Sequence, residues 1–129
     1  MILLDTHVWV WLAGAKERLS VSAAKAIDSG QDLAISMASV QEIAYLVVRG
    51  RLVMDRPVET WISAALNVHG IQALAPTVSA ALRAGSLDPL EFHGDPVDRL
   101  IYATAVEHDA QLVSADQRLR RSDPSRIVW

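Results

Sequence analysis

The sequence predicts an α/β fold with a mostly parallel central sheet. Short apolar runs alternate with segments of helical periodicity along all 129 residues, which is the order of elements in parallel-sheet proteins. The runs are apolar on both faces, as strands covered by helices on both sides must be. A chain of this length can bury one core, so we expect a single domain over residues 1–129.

Five apolar runs are predicted to form the strands. They are short and rich in the aliphatic side chains that buried strands carry. They span residues 2–5, 32–36, 71–74, 111–114 and 126–129. Because the carboxyl ends of parallel strands meet at one edge of a sheet, side chains that follow these runs are expected to lie close together.

Six helices are predicted between the strands. They span residues 7–12, 22–29, 40–49, 58–68, 78–84 and 96–108. Ser20 and Thr77 can cap the second and fifth helices, and Pro96 suits the first position of the sixth. Gly50 and Gly85 are expected to end the third and fifth helices. The irregular stretch 86–94 is expected to form one wall of a site.

The composition excludes several classes of protein. No apolar stretch reaches the roughly 18 residues of a membrane span, and the first residues lack the basic region of a secretory signal. Without cysteine or closely paired histidines, a structural zinc site is not expected. We therefore expect a cytoplasmic protein without disulfides. The net charge of −3 does not by itself indicate nucleic-acid binding.

Four acids are placed where the predicted elements meet the edge of the sheet. Asp5 follows the first strand, Glu42 lies on the third helix, Asp98 opens the sixth helix, and Asp116 follows the fourth strand. Each alone is explained by a helix cap or by a glutamate that reaches from the core border to water. Together they would repel one another and lose hydration, which a bound cation would offset. The joint placement predicts an acidic metal site.

Asp95 and Asp98 differ in their expected roles. Asp95 has the position of an N-cap, with Pro96 at the first helical position. Asp98 projects at the edge of the buried face of the same helix and is the better candidate for a metal ligand.

The basic residues are ten arginines and only two lysines. Arginine is the better bidentate ligand for phosphate. Arg49 and Arg51 form one cluster, and Arg118, Arg120 and Arg121 form another. They are explained equally well as a phosphate-facing rim and as ordinary solvated surface.

Four motifs resemble those of PIN-domain proteins, and in particular of the VapC-type toxins of toxin–antitoxin pairs. The motifs occur in order and cover essentially the whole chain. They are Met1-Ile2-Leu3-Leu4-Asp5-Thr6-His7, Ser36-x-x-Ser39-x-x-Glu42-Ile43, His93-x-Asp95-Pro96-x-Asp98-Arg99-Leu100-Ile101-x-Ala103 and Leu112-Val113-Ser114-x-Asp116. One departure is Gln41, where the group often has an aromatic residue.

The resemblance implies a three-layer α/β/α sandwich and a Mg²⁺- or Mn²⁺-dependent ribonuclease. It further implies a homodimer and a small VapB-type antitoxin that covers the site. By motif match, the catalytic acids are Asp5, Glu42, Asp98 and Asp116. The supporting residues are Thr6, Ser114 and Asp95.

The expected mechanism follows from hard oxygen ligands, which suit Mg²⁺ or Mn²⁺. Asp5 and Asp98 would hold the principal ion, and Asp116 would complete its shell or that of a second ion. Glu42 would position or deprotonate the attacking water. The arginines expected to steer the RNA backbone are Arg99, Arg118, Arg120 and Arg121.

Two alternatives remain open at this point. One is a phosphotransferase or phosphatase with Asp5 as the nucleophile, although residue 7 is histidine where one such family has a second acid, and the only lysines are early in the chain. The other is a non-catalytic module that binds RNA or an antitoxin without cleavage.

Overall fold

The computed structural model describes residues 1–129 and contains one five-stranded sheet. The strand order is β3-β2-β1-β4-β5, and every pair of neighbouring strands is parallel. The strands are β1 (Ile2–Leu4), β2 (Leu33–Ser36), β3 (Gln72–Leu74), β4 (Gln111–Val113) and β5 (Ile127–Val128). All five predicted strands are confirmed, each one or two residues shorter than expected.

Seven α-helices and a single 3-10 turn at Lys16–Arg18 connect the strands. The helices are α1 (Thr6–Gly14), α2 (Val21–Ile27), α3 (Met37–Val48), α4 (Val58–Val68), α5 (Val78–Ser86), α6 (Pro96–Glu107) and α7 (Gln117–Ser122). The six predicted helices are confirmed, and α7 is additional.

The ends of the helices follow from local capping. The hydroxyls of Ser20 and Thr77 accept from backbone N–H groups at the starts of α2 and α5, as predicted. Helix α3 begins three residues earlier than expected because the Ser36 hydroxyl caps it. Gly50 follows α3 with a φ of +67°, a conformation that glycine adopts without steric cost. The predicted stop at Gly85 is wrong, because this residue lies inside α5.

Helices cover both faces of the sheet, which confirms the three-layer α/β/α architecture. Ile2 and Leu4 of β1 belong to one buried cluster, which α1, α2, α3 and α4 complete. Leu3 points to the opposite face and belongs to a second cluster with residues of α6 and α7. Helix α5 packs against α6 through small side chains, among them Ala80 and Ala103.

The two tryptophans of α1 have different surroundings. Trp9 is fully buried, and its ring lies 5.3 Å from that of Trp61. Trp11 is partly buried and packs against Trp129, with ring centroids 5.7 Å apart. Both residues therefore hold α1 against its neighbours and fix the position of the segment that follows β1.

The carboxyl edge of the sheet gathers the starts of four helices. Helices α1 and α3 follow β1 and β2 directly, and α7 follows β4 after three residues. The start of α6 reaches the same region, where residues of all four helices line one cavity. None of the helices is both long enough and apolar enough to cross a bilayer.

Candidate active site

A cavity of about 790 Å³ lies at the carboxyl edge of the sheet. The four acids that the sequence singled out line it, and Asp95 lines it as well. The acidic lining residues are Asp5, Glu42, Asp95, Asp98 and Asp116. The structure therefore brings together all of the predicted carboxylates, although they are spread over more than 110 residues of sequence.

Asp5 is held by donors on both oxygens of its carboxylate. Its side chain caps α1 by accepting from the backbone N–H of Thr6 at 2.8 Å, and its other oxygen accepts from the Ser114 hydroxyl at 2.6 Å. Burial raises the pKa of Asp5, which is only 7% exposed, while these two hydrogen bonds oppose the rise. Asp5 thus lies in the lining of the cavity, and these two hydrogen bonds fix the orientation of its carboxylate.

The two predicted supporting hydroxyls act differently. Ser114 contacts Asp5 directly and also accepts from the backbone N–H of Asp116 at 3.1 Å. The Thr6 hydroxyl instead donates to the Ser39 hydroxyl on α3 at 3.0 Å, and only its backbone N–H reaches Asp5. Ser39 is thus a fully buried link between α1 and α3.

Asp98 has no comparable support. No protein group forms a hydrogen bond to its carboxylate, and its side chain is 16% exposed. Burial raises the pKa of Asp98 to about 8, and the surrounding carboxylates add to the rise, in the order Asp5, Asp95, Glu42 and Asp116. Such a carboxyl needs either a proton or a cation.

Asp98 is also the one acid that two groups of possible metal ligands share. Its carboxylate forms one group with Glu42 and Asp95, in which a ligand atom from each residue lies within 4.8 Å of the others. It forms a second group, at the same spacing, with Asp116 and His93. Asp5 belongs to neither group. The donor set therefore fits a hard divalent cation near Asp98.

Asp95 caps α6, as its sequence position predicted. One of its oxygens accepts from the backbone N–H groups of Val97 and Asp98 at 3.0 and 3.1 Å. The residue is exposed and lines the cavity, and its second oxygen forms no hydrogen bond. A capping role and a contribution to a cation site are therefore compatible.

Asp116 caps α7 and pairs with Arg118. Its carboxylate accepts from the backbone N–H of Arg118 at 2.7 Å and from the guanidinium at 2.8 and 3.2 Å. Burial alone would raise the pKa of Asp116, but these contacts with Arg118 outweigh it and hold the pKa below its ordinary value. Asp116 is therefore ionised across the neutral range.

Glu42 projects into the cavity from α3. Burial raises the pKa of this carboxyl above its ordinary value, and the charge of Asp5 adds to the rise. A carboxylate with a raised pKa is a stronger proton acceptor than an exposed one. Glu42 thus has the position and the environment of a general base.

The predicted RNA-contacting arginines occupy different environments. Arg118 lines the cavity. Arg99 faces the protein interior instead, where its guanidinium donates to the carbonyl oxygens of Ala84, Leu87 and His93 at 2.8, 2.6 and 3.2 Å. These hydrogen bonds tie the loop before α6 to α5, and they argue against the predicted contact of Arg99 with RNA. Arg120 and Arg121 are exposed on α7 and do not line the cavity.

Arg51, from the arginine cluster that the sequence offered as a phosphate-facing rim, lines the cavity. The rings of His7, Trp11 and Tyr45 line it as well, and sequence reasoning gave them no role in the site. His93 does not line the cavity but lies next to Asp98, with Nε2 3.4 Å from Asp98 Oδ2. Two sequence signals pointed to His93: its place in the third motif, two residues before Asp95, and its place in the stretch 86–94. The stretch was expected to form one wall of the site, but none of its residues lines the cavity.

A family model for the PIN domain matches residues 2–123 of this chain. The chain belongs to the PIN-domain family. A curated relative, Ribonuclease VapC22 of Mycobacterium tuberculosis (strain ATCC 25618 / H37Rv), is 42% identical over 130 residues, which cover 99% of this chain and 98% of the relative. The resemblance to VapC-type PIN-domain proteins is thereby confirmed.

Several solved structures share the fold. A toxin–antitoxin complex from Klebsiella pneumoniae matches with a TM-score of 0.70 at 20% identity, covering 100% of this chain and 97% of the matched chain. VapBC2 from Rickettsia felis, bound to a DNA fragment from their promoter, matches with a TM-score of 0.72 at 17% identity, covering 98% of this chain and 97% of the matched chain. At these identities the likeness establishes the fold.

Proposed function

We propose that this chain is a Mg²⁺- or Mn²⁺-dependent ribonuclease toxin of the VapC type. One observation carries the metal dependence: Asp98 lies among four other carboxylates without a hydrogen-bond donor from the protein. The choice of RNA as substrate is supported by the 42% identical relative, which is named a ribonuclease.

The cation would be held near Asp98, with Asp116, Asp95 and Glu42 as further candidate ligands. Asp5 would act from the lining of the cavity, as a ligand or through its charge. These are hard oxygen donors, which suit Mg²⁺ and Mn²⁺. When bound, such an ion would neutralise charge on the phosphodiester and lower the pKa of a coordinated water.

The protein side chains would divide the remaining work. Glu42 would take the proton of the attacking water on its carboxylate, because burial has raised its pKa. Ser114 and the backbone of Thr6 would keep the Asp5 carboxylate in one orientation while RNA binds. Arg118 and Arg51, which line the cavity, would bind backbone phosphates and thereby position the scissile bond.

The proposal of a protein partner rests on the solved structures that share the fold. The solved structures that share the fold include VapBC complexes, so we propose that a small VapB-type antitoxin binds this chain and covers the acids. We further propose a homodimer of single-domain chains in the cytoplasm.

The geometry disfavours the phosphotransferase alternative. A nucleophilic aspartate must present one free oxygen to the phosphorus atom. Asp5 is 7% exposed, and both of its oxygens accept hydrogen bonds from the protein. Asp5 is therefore better suited to a fixed charge than to in-line attack.

The test is RNA cleavage by the purified chain, freed of antitoxin and dialysed against a chelator. We expect cleavage on addition of Mg²⁺ or Mn²⁺, and none with Asp98→Asn. Asp28→Asn is the matched control, since Asp28 is an exposed acid that lies outside the cavity, and it should cleave like the wild type. RNA binding without cleavage in either metal would support the non-catalytic module instead. Sequencing RNA ends after induced expression would then identify the target.

A further inference from the structure

His93 is the one partly buried titratable side chain next to the acids that the mechanism above does not use. Its side chain is 12% exposed and does not line the cavity. The imidazole is stacked against Phe92, with ring centroids 5.8 Å apart and an interplanar angle of 20°. Phe92 is itself buried against Tyr102. The ring of His93 is therefore held in place from the core side.

The backbone around His93 is equally constrained. Residues 87–95 form no helix or strand, but the guanidinium of Arg99 donates to the His93 carbonyl and to the Leu87 carbonyl. This contact fixes the loop against the first turn of α6. The imidazole consequently has a defined position relative to the acids on α6.

The hydrogen bond at Nδ1 determines which ring nitrogen carries the proton. Nδ1 accepts from the backbone N–H of Asp95 at 3.3 Å. A backbone N–H can only donate, so Nδ1 presents its lone pair, and the neutral ring carries its hydrogen on Nε2. Nε2 is consequently a donor.

The Nε2–H group faces two carboxylates from different elements. Nε2 lies 3.4 Å from Asp98 Oδ2, at the start of α6, and 3.7 Å from Asp116 Oδ2, at the cap of α7. The atom is buried and has no full hydrogen bond at these distances. It is also the protein donor placed nearest to Asp98, whose carboxylate otherwise has none.

We infer that His93 is a positioning residue that holds Asp98 and Asp116 at a fixed spacing through its Nε2–H group, and that it is not itself a metal ligand. The inference rests on the proposed metal-dependent function. A donor between two carboxylates reduces their repulsion and orients their remaining lone pairs toward the cavity. Direct ligation would instead require the lone pair at Nε2 and the hydrogen at Nδ1, where it would meet the N–H of Asp95.

Two substitutions test the roles of the two imidazole nitrogen atoms separately. The glutamine amide in His93→Gln places an N–H donor at about the distance of Nε2 from the main chain. The shorter amide in His93→Asn can replace Nδ1 as the acceptor for Asp95 but cannot reach the acids. The two variants therefore differ in the donor that the inference requires, while both remain polar and planar.

The experiment measures Mn²⁺ binding to the metal-free chain by titration calorimetry. His93→Asn should weaken binding by about 10- to 100-fold, the usual loss when a partner of a metal ligand is removed, whereas His93→Gln should remain close to the wild type. Equal losses in both variants, or wild-type affinity in both, would overturn the inference.

A second measurement compares the Mn²⁺ complexes of the wild type and of His93→Gln. Electron spin-echo spectroscopy of the Mn²⁺ complex detects nitrogen atoms bound directly to the ion. We expect the wild type and His93→Gln to show the same nitrogen couplings. A coupling that is present in the wild type and absent from His93→Gln would show that His93 is a ligand. Failure of the wild type to bind Mn²⁺ would overturn the proposed function as well. Mn²⁺ binding without RNA cleavage would overturn the proposed function alone.

Discussion

The two sides of the acidic cavity handle buried charge in different ways. On the β1 side, Asp5 is nearly fully buried, and donors from Thr6 and Ser114 occupy both of its oxygens. On the α6 side, Asp98 is somewhat more exposed but has no protein hydrogen bond, and its pKa is raised to about 8. Burial raises the pKa of both acids, and the two sides differ in the donors that oppose this rise, which Asp5 has and Asp98 lacks.

This difference suggests a division of roles. On the β1 side, donors from elements that the sheet holds in place fix the Asp5 carboxylate and oppose the rise of its pKa. The α6 side is incomplete until charge is neutralised, and the donor nearest to it is the His93 Nε2–H at 3.4 Å. We therefore expect substitutions of Asp5 and Asp98 to reduce catalysis alike but to differ in their effect on the stability of the metal-free protein.

The largest expected effect is on RNA cleavage. Asp98→Asn and Asp5→Asn should each reduce kcat/KM by more than about 100-fold, the scale of loss when one preorganised electrostatic contribution to a transition state is removed. In the metal-free state at pH 8, however, Asp98→Asn should be more stable than the wild type, since it removes an unsupported charge. Asp5→Asn should be no more stable than the wild type, because the amide NH₂ group that replaces one carboxylate oxygen cannot accept the hydrogen bond from Thr6 or Ser114, and this loss offsets the removal of the charge. Urea unfolding of both variants with chelator present would measure their free energies of unfolding. A change of the same sign in both variants would contradict the contrast.

The second prediction concerns the pH dependence of stability without metal. The folded pKa of Asp98, about 8, lies above the unfolded value of 3.8, so between these values the folded state binds more protons than the unfolded state. The free energy of unfolding should therefore fall as the pH rises from about 4 to about 8. The raised pKa values of Asp5 and Glu42 act in the same direction. Asp98→Asn should flatten the profile, and thermal melts at several pH values would show whether it does.

The third prediction tests the donors on the β1 side. Ser114→Ala removes the hydroxyl that donates to Asp5 at 2.6 Å. It should reduce the free energy of unfolding by about 1–3 kcal/mol, the cost of leaving a buried acceptor unsatisfied. Ser63→Ala is the matched control, because Ser63 is exposed in the interior of α4. Similar unfolding free energies for both variants would mean that the hydroxyl does not support Asp5.

The smallest expected effect concerns RNA affinity. Arg118→Gln should reduce binding of a non-cleaved RNA similarly for different sequences and lower the salt dependence of binding by about one charge. Arg120→Gln should change binding less, since Arg120 does not line the cavity. Filter binding at several salt concentrations would compare the two. Equal effects would mean that α7 contacts RNA along its whole exposed face.

The sequence was sufficient to predict the strands and the acids of the site. The run Leu33-Ala34-Ile35 is short and apolar on both faces, and this pattern is typical of a strand that helices cover on both sides. Asp5 and Asp116 were identifiable because each follows such a run, and position along a parallel strand determines the edge at which a side chain lies. The order of the strands was not predictable, since it depends on contacts between distant residues.

The missed features depend on tertiary contacts. Helix α7 has only six residues, of which Leu119 is the buried one, so it carries no periodic signal. Gly85 remains inside α5, which packs closely on α6 through alanines. The local sequence did not show that Arg99 would be enclosed by three carbonyl oxygens or that His93 would face two acids.

The most direct test of the contrast between the two sides is the affinity for Mn²⁺ as a function of pH. A cation that binds at Asp98 must displace the proton held there at a pKa of about 8. Affinity should therefore rise by up to about tenfold per pH unit between pH 6 and 8, and this rise should be lost in Asp98→Asn. A wild-type affinity that does not change with pH, or a rise that persists in Asp98→Asn, would contradict the account.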